Sequence, residues 1–457
     1  MSTKRIFCKH LLQSGGWRED VVMEVTAGGL IVSVEPGVPA TADVIMKGFV
    51  LPGMPNTHSH SFQRLIAGLT GTNGGQQDSF WSWREAMYRC AGKISPEQFA
   101  AAASWVFAAM LKAGYTSCAE FHYLHHQPGG QPYDNLAEMS ARVIDAATTC
   151  GMGLTLMPVL YQTAGFGNTQ LDPVQNRFFN STKRYLRLLE ECQASIAGNS
   201  HIRLGIAPHS LRAVPGEVLA DVIDCWQDKT CPLHIHIAEQ PAEIEACLDY
   251  LGARPLQWLM NQFQVNERWC LVHATHLDDQ ELLQAAACGA IAGLCPTTEA
   301  DLGDGMFRTT DWLHAGGQFS IGSDSNVRIS VTEELRQLEY NERLTKGRRN
   351  VISQAAMTGG RFMYQHAAEA GAVAIGQPVG KLESGFRADL VELKADHLLS
   401  AGRNPDAVLD SWVFAGGNDL VQSVWVAGNQ VVSDNRHMLD EQLNSNFLQS
   451  IVELHST

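Results

Sequence analysis

The sequence predicts an α/β protein, a (β/α)8 barrel of the TIM type carrying a small β-sandwich domain built from both termini. Three observations lead there. Helix and strand signals alternate between residues 50 and 326, with eight strands among them, and eight βα units in series close most simply into a parallel barrel. Polar residues recur at the ends of those strands, namely His58 and His60, Tyr123, His209, His236 and Glu239, His273, and Asp324. The C-terminal strand ends are where barrel enzymes assemble their active sites. The flanks differ: "VVMEVTAGGLIVSVEP", "GKLESGFRADLVEL" and "SVWVAGNQVVSD" are short β-rich segments with glycine turns. The expected division is 1–49 and 371–457 for the two parts of the small domain and 50–370 for the barrel, since chain ends often meet. An open, doubly wound sheet is the competing architecture.

The elements follow in order. The first strand runs into "LPGMPNTHSH" and ends at His58. "SPEQFAAAASWVFAAMLKAG" opens with Ser95, Pro96 and Gln98, a capping-box start, and stops at Gly114. "YTSCAEFHYLH" is the second strand; the helix "PYDNLAEMSARVIDAATTCG" then ends on Gly151 before the strand "GLTLMPVLY". The pattern continues with helix "STKRYLRLLEECQ" and strand "IRLGIAPHS", then helix "GEVLADVIDCWQ" and strand "PLHIHIAE". Helix "PAEIEACLDYLG" and a second apolar segment lead to "WCLVHATHL"; "DDQELLQAAACG" leads to "AIAGLCP", and "DWLHAGG" to "QFSIGSDSN". The long segment 162–180 reads either as a lid or as an irregular surface loop.

Composition narrows the function classes. The chain of 457 residues is 45% hydrophobic and 18% charged, ordinary for a globular protein. No apolar run approaches the roughly 18 residues of a membrane span, and the start lacks the apolar region of a secretory signal. No membrane partner is expected. A net charge of −15 argues against nucleic acid as a partner. The eleven cysteines are scattered, with no C-x-x-C, and read as reduced thiols of a cytoplasmic protein.

His58 and His60 lie one residue apart, so along a strand both imidazoles point to one face. Alone they are either half of a metal site or a solvated turn. His236 with Glu239, and Asp324 at a later strand end, add the missing donors. Three imidazoles and a carboxylate suit a catalytic Zn2+, where a bound water is acidified toward neutral pH. His234 shares the face of His236 but sits deeper, as a buried hydrogen-bonded histidine. Of His273 and His276, the former is better placed to face the barrel mouth. His122, His125 and His126 read as bystanders in a loop.

Taken together, H-x-H after the first strand, H-x-x-E at the fifth, a histidine at the sixth and S-D-S at the eighth resemble the amidohydrolase superfamily, as does "LESGFRADLVEL". The similarity covers essentially the whole chain. The fourth-strand segment "IRLGIAPHSLR" has no lysine to bridge two metals, which resembles the mononuclear deaminase branch and implies one Zn2+ per chain, with iron the lesser alternative. Within that branch, "NTHSHSFQR", "FWSWRE", "EFHYLHH", "APHSLRAV", "HIHIAEQ", "LVHATHL" and "SIGSDSNVRIS" are similar to the formimidoylglutamate deiminases. That resemblance implies hydrolysis of N-formimino-L-glutamate to N-formyl-L-glutamate and ammonia, in histidine degradation.

The resemblance also implies roles. His58, His60, His236 and Asp324 would hold the metal; Asp324 would accept the water proton, Glu239 would shuttle it to the imino nitrogen, and His273 would polarise the reacting group. The dianionic substrate needs cationic subsites. Arg212, just beyond the fourth strand, and Arg84, on the loop after the first, would grip its carboxylates bidentately, with Gln63, Tyr123 and His209 completing the grip. A surface salt bridge is the alternative for each arginine. The resemblance implies a homodimer. Competing functions are deamination of a purine, pterin or S-adenosylhomocysteine-like base, imidazolonepropionase activity, and a non-catalytic scaffold.

Overall fold

The barrel strands are almost wholly buried, because helices cover one face of each strand and layers of side chains fill the other; the polar side chains they carry, such as Asn56, Thr57, Ser117, Thr155 and Ser320, are buried with them. The computed structural model describes residues 3–69 and 80–456. Four strands precede the barrel: Thr3–Gln13 (β1), Gly16–Thr26 (β2), Ile31–Pro36 (β3) and Val44–Pro52 (β4). The barrel strands are Met54–Ser59 (β5), Tyr115–His122 (β6), Gly153–Leu160 (β7), Ile202–Leu204 with Ala207–Pro208 (β8, β9), Leu233–Ile237 (β10), Trp269–His273 (β11), Ile291–Leu294 (β12) and Gln318–Ile321 (β13). Four more follow: Leu390–Leu393 (β14), Val421–Val426 (β15), Asn429–Ser433 (β16) and Arg436–His437 (β17).

β5 to β9 pair in parallel, as do β10 to β13. Two seams close them into one cylinder. Ile206 bridges to Leu233, and Ser59 bridges to Asp324. At the second seam the Asp324 amide donates to the His58 carbonyl and the His60 amide to the Asp324 carbonyl, each at 2.9 Å. The seam thereby brings the first and eighth strand ends together at the barrel mouth. The fourth strand, expected as one run, is interrupted at Gly205, where a Cβ would lie 2.4 Å from Met157 Sδ.

Local rules explain most helices. Pro96–Lys112 has the expected capping box between Ser95 and Gln98, and Asp278 with Glu281 forms another before Asp279–Ala287. Glu138–Cys150 ends on Gly151 at φ 74°, as expected. It starts later than its pattern suggests, because the Asn135 side chain accepts from the Ala137 amide and holds a turn there.

The remaining strands form one mixed sheet in the order β17-β16-β15-β14-β4-β1-β2-β3. It bends so that Leu30 beside β3 bridges to Arg387 before β14, enclosing a separate apolar core that includes Ile6, Met23, Ile31, Leu390 and Trp425. The segment "FRAD" supplies a buried ion pair, Arg387 to Asp389 at 2.7 Å. Arg387 also donates to Gln377, and Asp389 accepts from the Ala427 amide. Residues 371–457 also contain the helices Pro405–Ala415 and Asp440–His455, which pack on barrel helices rather than joining the sheet.

Candidate active site

Several residues at the barrel mouth have left-handed backbones, Ala238, Ala274 and Asn326 together with two of the candidate site residues. His273 has φ 67° and Asp324 φ 44°; for residues other than glycine this costs of order 1–3 kcal/mol. Both are fixed by sheet bonds on either side, at Ala274 to Ile237 and at Asp324 to His58. The strain turns their side chains inward.

His58 Nε2 lies 3.2 Å from His60 Nε2 and 3.0 Å from His236 Nε2. Asp324 Oδ1 is 3.5 Å from the first and 3.2 Å from the second. All four residues are buried, with their ligand atoms within 4.8 Å of one another. The outer nitrogens explain the convergence: His60 Nδ1 lies 2.6 Å from the Phe121 carbonyl, and His236 Nδ1 2.9 Å from the His209 carbonyl. Those carbonyls only accept, so each Nδ1 carries the hydrogen and each Nε2 presents a lone pair inward. Burial lowers the pKa of all three imidazoles, that of His60 against the pull of Asp324. Three neutral imidazoles and one carboxylate aimed at one point fit a divalent metal.

Beside this group, His273 Nε2 stands 3.7 Å from Glu239 and 3.8 Å from Asp324 Oδ2, while its Nδ1 is 3.3 Å from Glu299. Burial opposes its charge, but Glu239, Glu299 and Asp324 outweigh that and hold its pKa well above the ordinary value. Burial pushes Glu239 up to about 7, against the pull of His273 and Arg212.

The other wall holds the polar anchors. Gln63 donates to the Tyr123 hydroxyl at 2.8 Å. His209, its pKa lowered by burial and by Arg212, stands with its ring 4.8 Å from that of His236. Arg84 and Arg212 line the same pocket. Arg84 belongs to the helix Phe80–Ala91 rather than to an open loop, a correction of the sequence reading. Neither arginine forms an ion pair with a carboxylate among the described residues, so the surface salt bridge is not what is seen. Their guanidiniums stack over Trp81 at 4.4 and 5.7 Å.

Sequence reasoning missed Trp81, Tyr88, Tyr161, Gln175 and Phe178. Gln175 donates to Tyr88 and Tyr161 at 3.2 and 3.0 Å, and Phe178 packs on Tyr123 and Tyr161. The signal for Trp81 was present in "FWSWRE", quoted for its arginine alone. Residues 162–180 wall the active-site pocket through Phe178 at one end. At the other, Phe166 borders a neighbouring cavity of about 310 Å³ that Arg212 also lines. His234 bonds the Ala374 carbonyl at 2.8 Å away from the metal group. His122 ends β6 and His125 and His126 follow in the irregular segment after it; all three are buried and bonded to Ser140, Val159 and Phe179, away from the metal group. His276 faces the Asp304 carbonyl.

Residues 49–431 match the model of the amidohydrolase family. The chain is 47% identical over 450 residues, 98% of its own length and 99% of the relative's, to formimidoylglutamate deiminase of Pseudomonas aeruginosa. It is 25% identical, over 84% of this chain and 81% of the relative, to a 5-methylthioadenosine/S-adenosylhomocysteine deaminase of Natronomonas pharaonis. Among solved structures, an amidohydrolase from Brucella melitensis superposes with TM-score 0.94 at 44% identity, covering 99% of this chain and 100% of that one. An adenosine deaminase from Xanthomonas campestris with bound zinc shares the fold, with TM-score 0.83 at 21% identity, covering 99% and 98%. A match over most of the chain, strand ends converging on one buried ligand group, and a relative of near-equal length place this chain in the amidohydrolase family.

Proposed function

We propose that this protein hydrolyses N-formimino-L-glutamate to N-formyl-L-glutamate and ammonia, a step of histidine degradation, using one Zn2+ per chain. The observation that carries the reading is the opposition, in one enclosed pocket, of the three-histidine, one-aspartate group and the two stacked arginines. One end suits hydrolytic attack and the other suits two carboxylates. The 47% identical relative supports the same substrate.

His58, His60, His236 and Asp324 would hold the zinc. When bound, it supplies the Lewis-acid charge that makes water a nucleophile at neutral pH. The rest falls to side chains. Asp324 Oδ2, turned away from His58 and His60, takes a proton from the attacking water. Glu239 passes a proton to the imino nitrogen, which departs as ammonia when the carbon–nitrogen bond breaks. His273, set between Glu239, Glu299 and Asp324, hydrogen-bonds the attacking oxygen and stabilises negative charge developing on it. Arg84 and Arg212 grip the substrate carboxylates, with Gln63, Tyr123 and His209 fixing its orientation.

Aromatic side chains, Phe80, Trp83, Tyr88 and Phe178, also line this pocket, and of these Tyr88 is engaged with Arg84. We also read the protein as a cytoplasmic homodimer. Eleven free cysteines support a reducing compartment; the dimer rests on family resemblance, and sedimentation would check it.

The test is ammonia release from N-formimino-L-glutamate by protein of known metal content, beside adenosine, guanine and S-adenosylhomocysteine. Turnover of the first alone, lost on chelation and restored by Zn2+ rather than Fe2+, is expected. Turnover of a nucleoside or purine instead would overturn the substrate.

A further inference from the structure

Asp324 turns its two oxygens in different directions. Oδ1 faces His58 and His60, while Oδ2 faces His273 Nε2 at 3.8 Å. Cys295, directly after β12, comes close to both Asp324 and His273. Donor atoms of His273, Cys295 and Asp324 all fall within 4.8 Å of one another, and all three residues are buried. We propose that these three residues form a second divalent-cation site, sharing Asp324 with the first, that takes a soft or borderline ion such as Zn2+ or Cd2+ and inhibits the enzyme when filled.

The donor set is selective. Thiolate with imidazole and carboxylate suits zinc and cadmium, whereas magnesium and calcium take oxygen donors. His273 has the outer support typical of metal-binding imidazoles, a carboxylate at its far nitrogen. Glu299 supplies it at 3.3 Å, and the same oxygen accepts from the Cys295 amide at 2.8 Å. One carboxylate thus fixes both the imidazole and the segment bearing the thiol. The surroundings favour added positive charge: Glu239 and Glu299 are buried beside the group, where attraction to a cation is weakly screened. Binding forms metal–sulfur and metal–nitrogen bonds and releases both the Cys295 thiol proton and the proton that His273 carries to solvent.

Inhibition rests on the proposed function. The second ion would occupy Asp324 Oδ2 and His273, the groups assigned there to proton transfer and charge stabilisation. Cys295 has no part in that chemistry, so replacing it spares turnover.

The experiment titrates protein carrying one equivalent of Zn2+ with Cd2+. It follows ultraviolet thiolate-to-cadmium absorption, retained zinc and ammonia release together. In the wild type, absorption rises with one further equivalent, zinc stays bound and turnover falls in parallel. In Cys295→Ser that increment disappears, basal turnover is kept, and half-inhibition needs at least about tenfold more Cd2+, as expected when a soft donor is lost. Cys295→Ala gives the same result if serine disturbs the packing. The exposed Cys225 contributes equally to all three proteins. An unchanged absorption increment in both variants, or inhibition that tracks loss of zinc, would overturn the site. Cys295-dependent absorption in a one-zinc protein inactive on N-formimino-L-glutamate would uphold the site and refute the substrate assignment instead.

Discussion

Arg84 and Arg212 stand over the same indole. Their guanidinium carbons lie 4.4 and 5.7 Å from the Trp81 ring, although the two residues come from a helix after the first barrel strand and a turn after the fourth. One electron-rich ring thus contacts two cations from distant parts of the chain.

Trp81→Leu should therefore raise KM with little change in kcat. A partly desolvated cation–π contact is worth about 0.5–2 kcal/mol, or roughly twofold to thirtyfold in kcat/KM. Trp81→Phe should recover much of the loss. Steady-state kinetics decides; a fall confined to kcat would remove Trp81 from carboxylate binding.

Arg212→Ala removes a cation that faces Glu239, Glu243 and the pocket. A loss of about 2–4 kcal/mol in kcat/KM is expected for a bidentate, buried ion pair. An unchanged value would move the carboxylate subsite elsewhere.

Glu239→Gln should keep its metal and lose turnover by about 10²–10⁴-fold, the usual size of a general acid–base contribution. Metal analysis beside single-turnover kinetics checks both halves. Retained turnover would exclude Glu239 from the proton path.

Glu392, in β14, carries a pH signature remote from the metal group. Burial raises its pKa, against hydrogen bonds from the Gly48 amide and Ser423 hydroxyl. A raised carboxyl pKa means the unfolded chain loses its proton first, so this group's contribution is fullest at acid pH and fades as pH rises. The melting temperature of Glu392→Gln relative to the wild type should climb between about pH 4 and pH 7. Parallel melting curves across that range would contradict the assignment.

Asp389→Ala leaves Arg387 buried and uncompensated between Gln377 and the sheet. Such a loss costs about 3–5 kcal/mol. Calorimetry should show a lowered melting temperature with the metal content intact. A shift of a degree or less would mean that the pair contributes little.

Much of this was legible in one dimension. Period-two and period-3.6 patterns gave the alternating elements, and Ser95 with Gln98 marked a helix start, because these signals act within a few residues. The same locality gave His58 and His60 a common face. What remained hidden was whatever depends on neighbours far along the chain or on a helix inside a connection; depth was legible where two histidines share one strand face. His234 and His236 share a strand face, yet one bonds the Ala374 carbonyl while the other meets His58 at 3.0 Å. Their spacing is identical in kind, and only depth in the barrel separates them.

The sequence by itself determined the barrel, the donor residues and the chemistry they permit, since strand period and side-chain type are local properties. Only the tertiary structure decided which donors converge. The seam between Ser59 and Asp324 joins residues 265 positions apart, stacks two distant arginines on Trp81, and points the second oxygen of Asp324 toward His273. Those relations follow from closing the cylinder, a global event that no short stretch of sequence encodes.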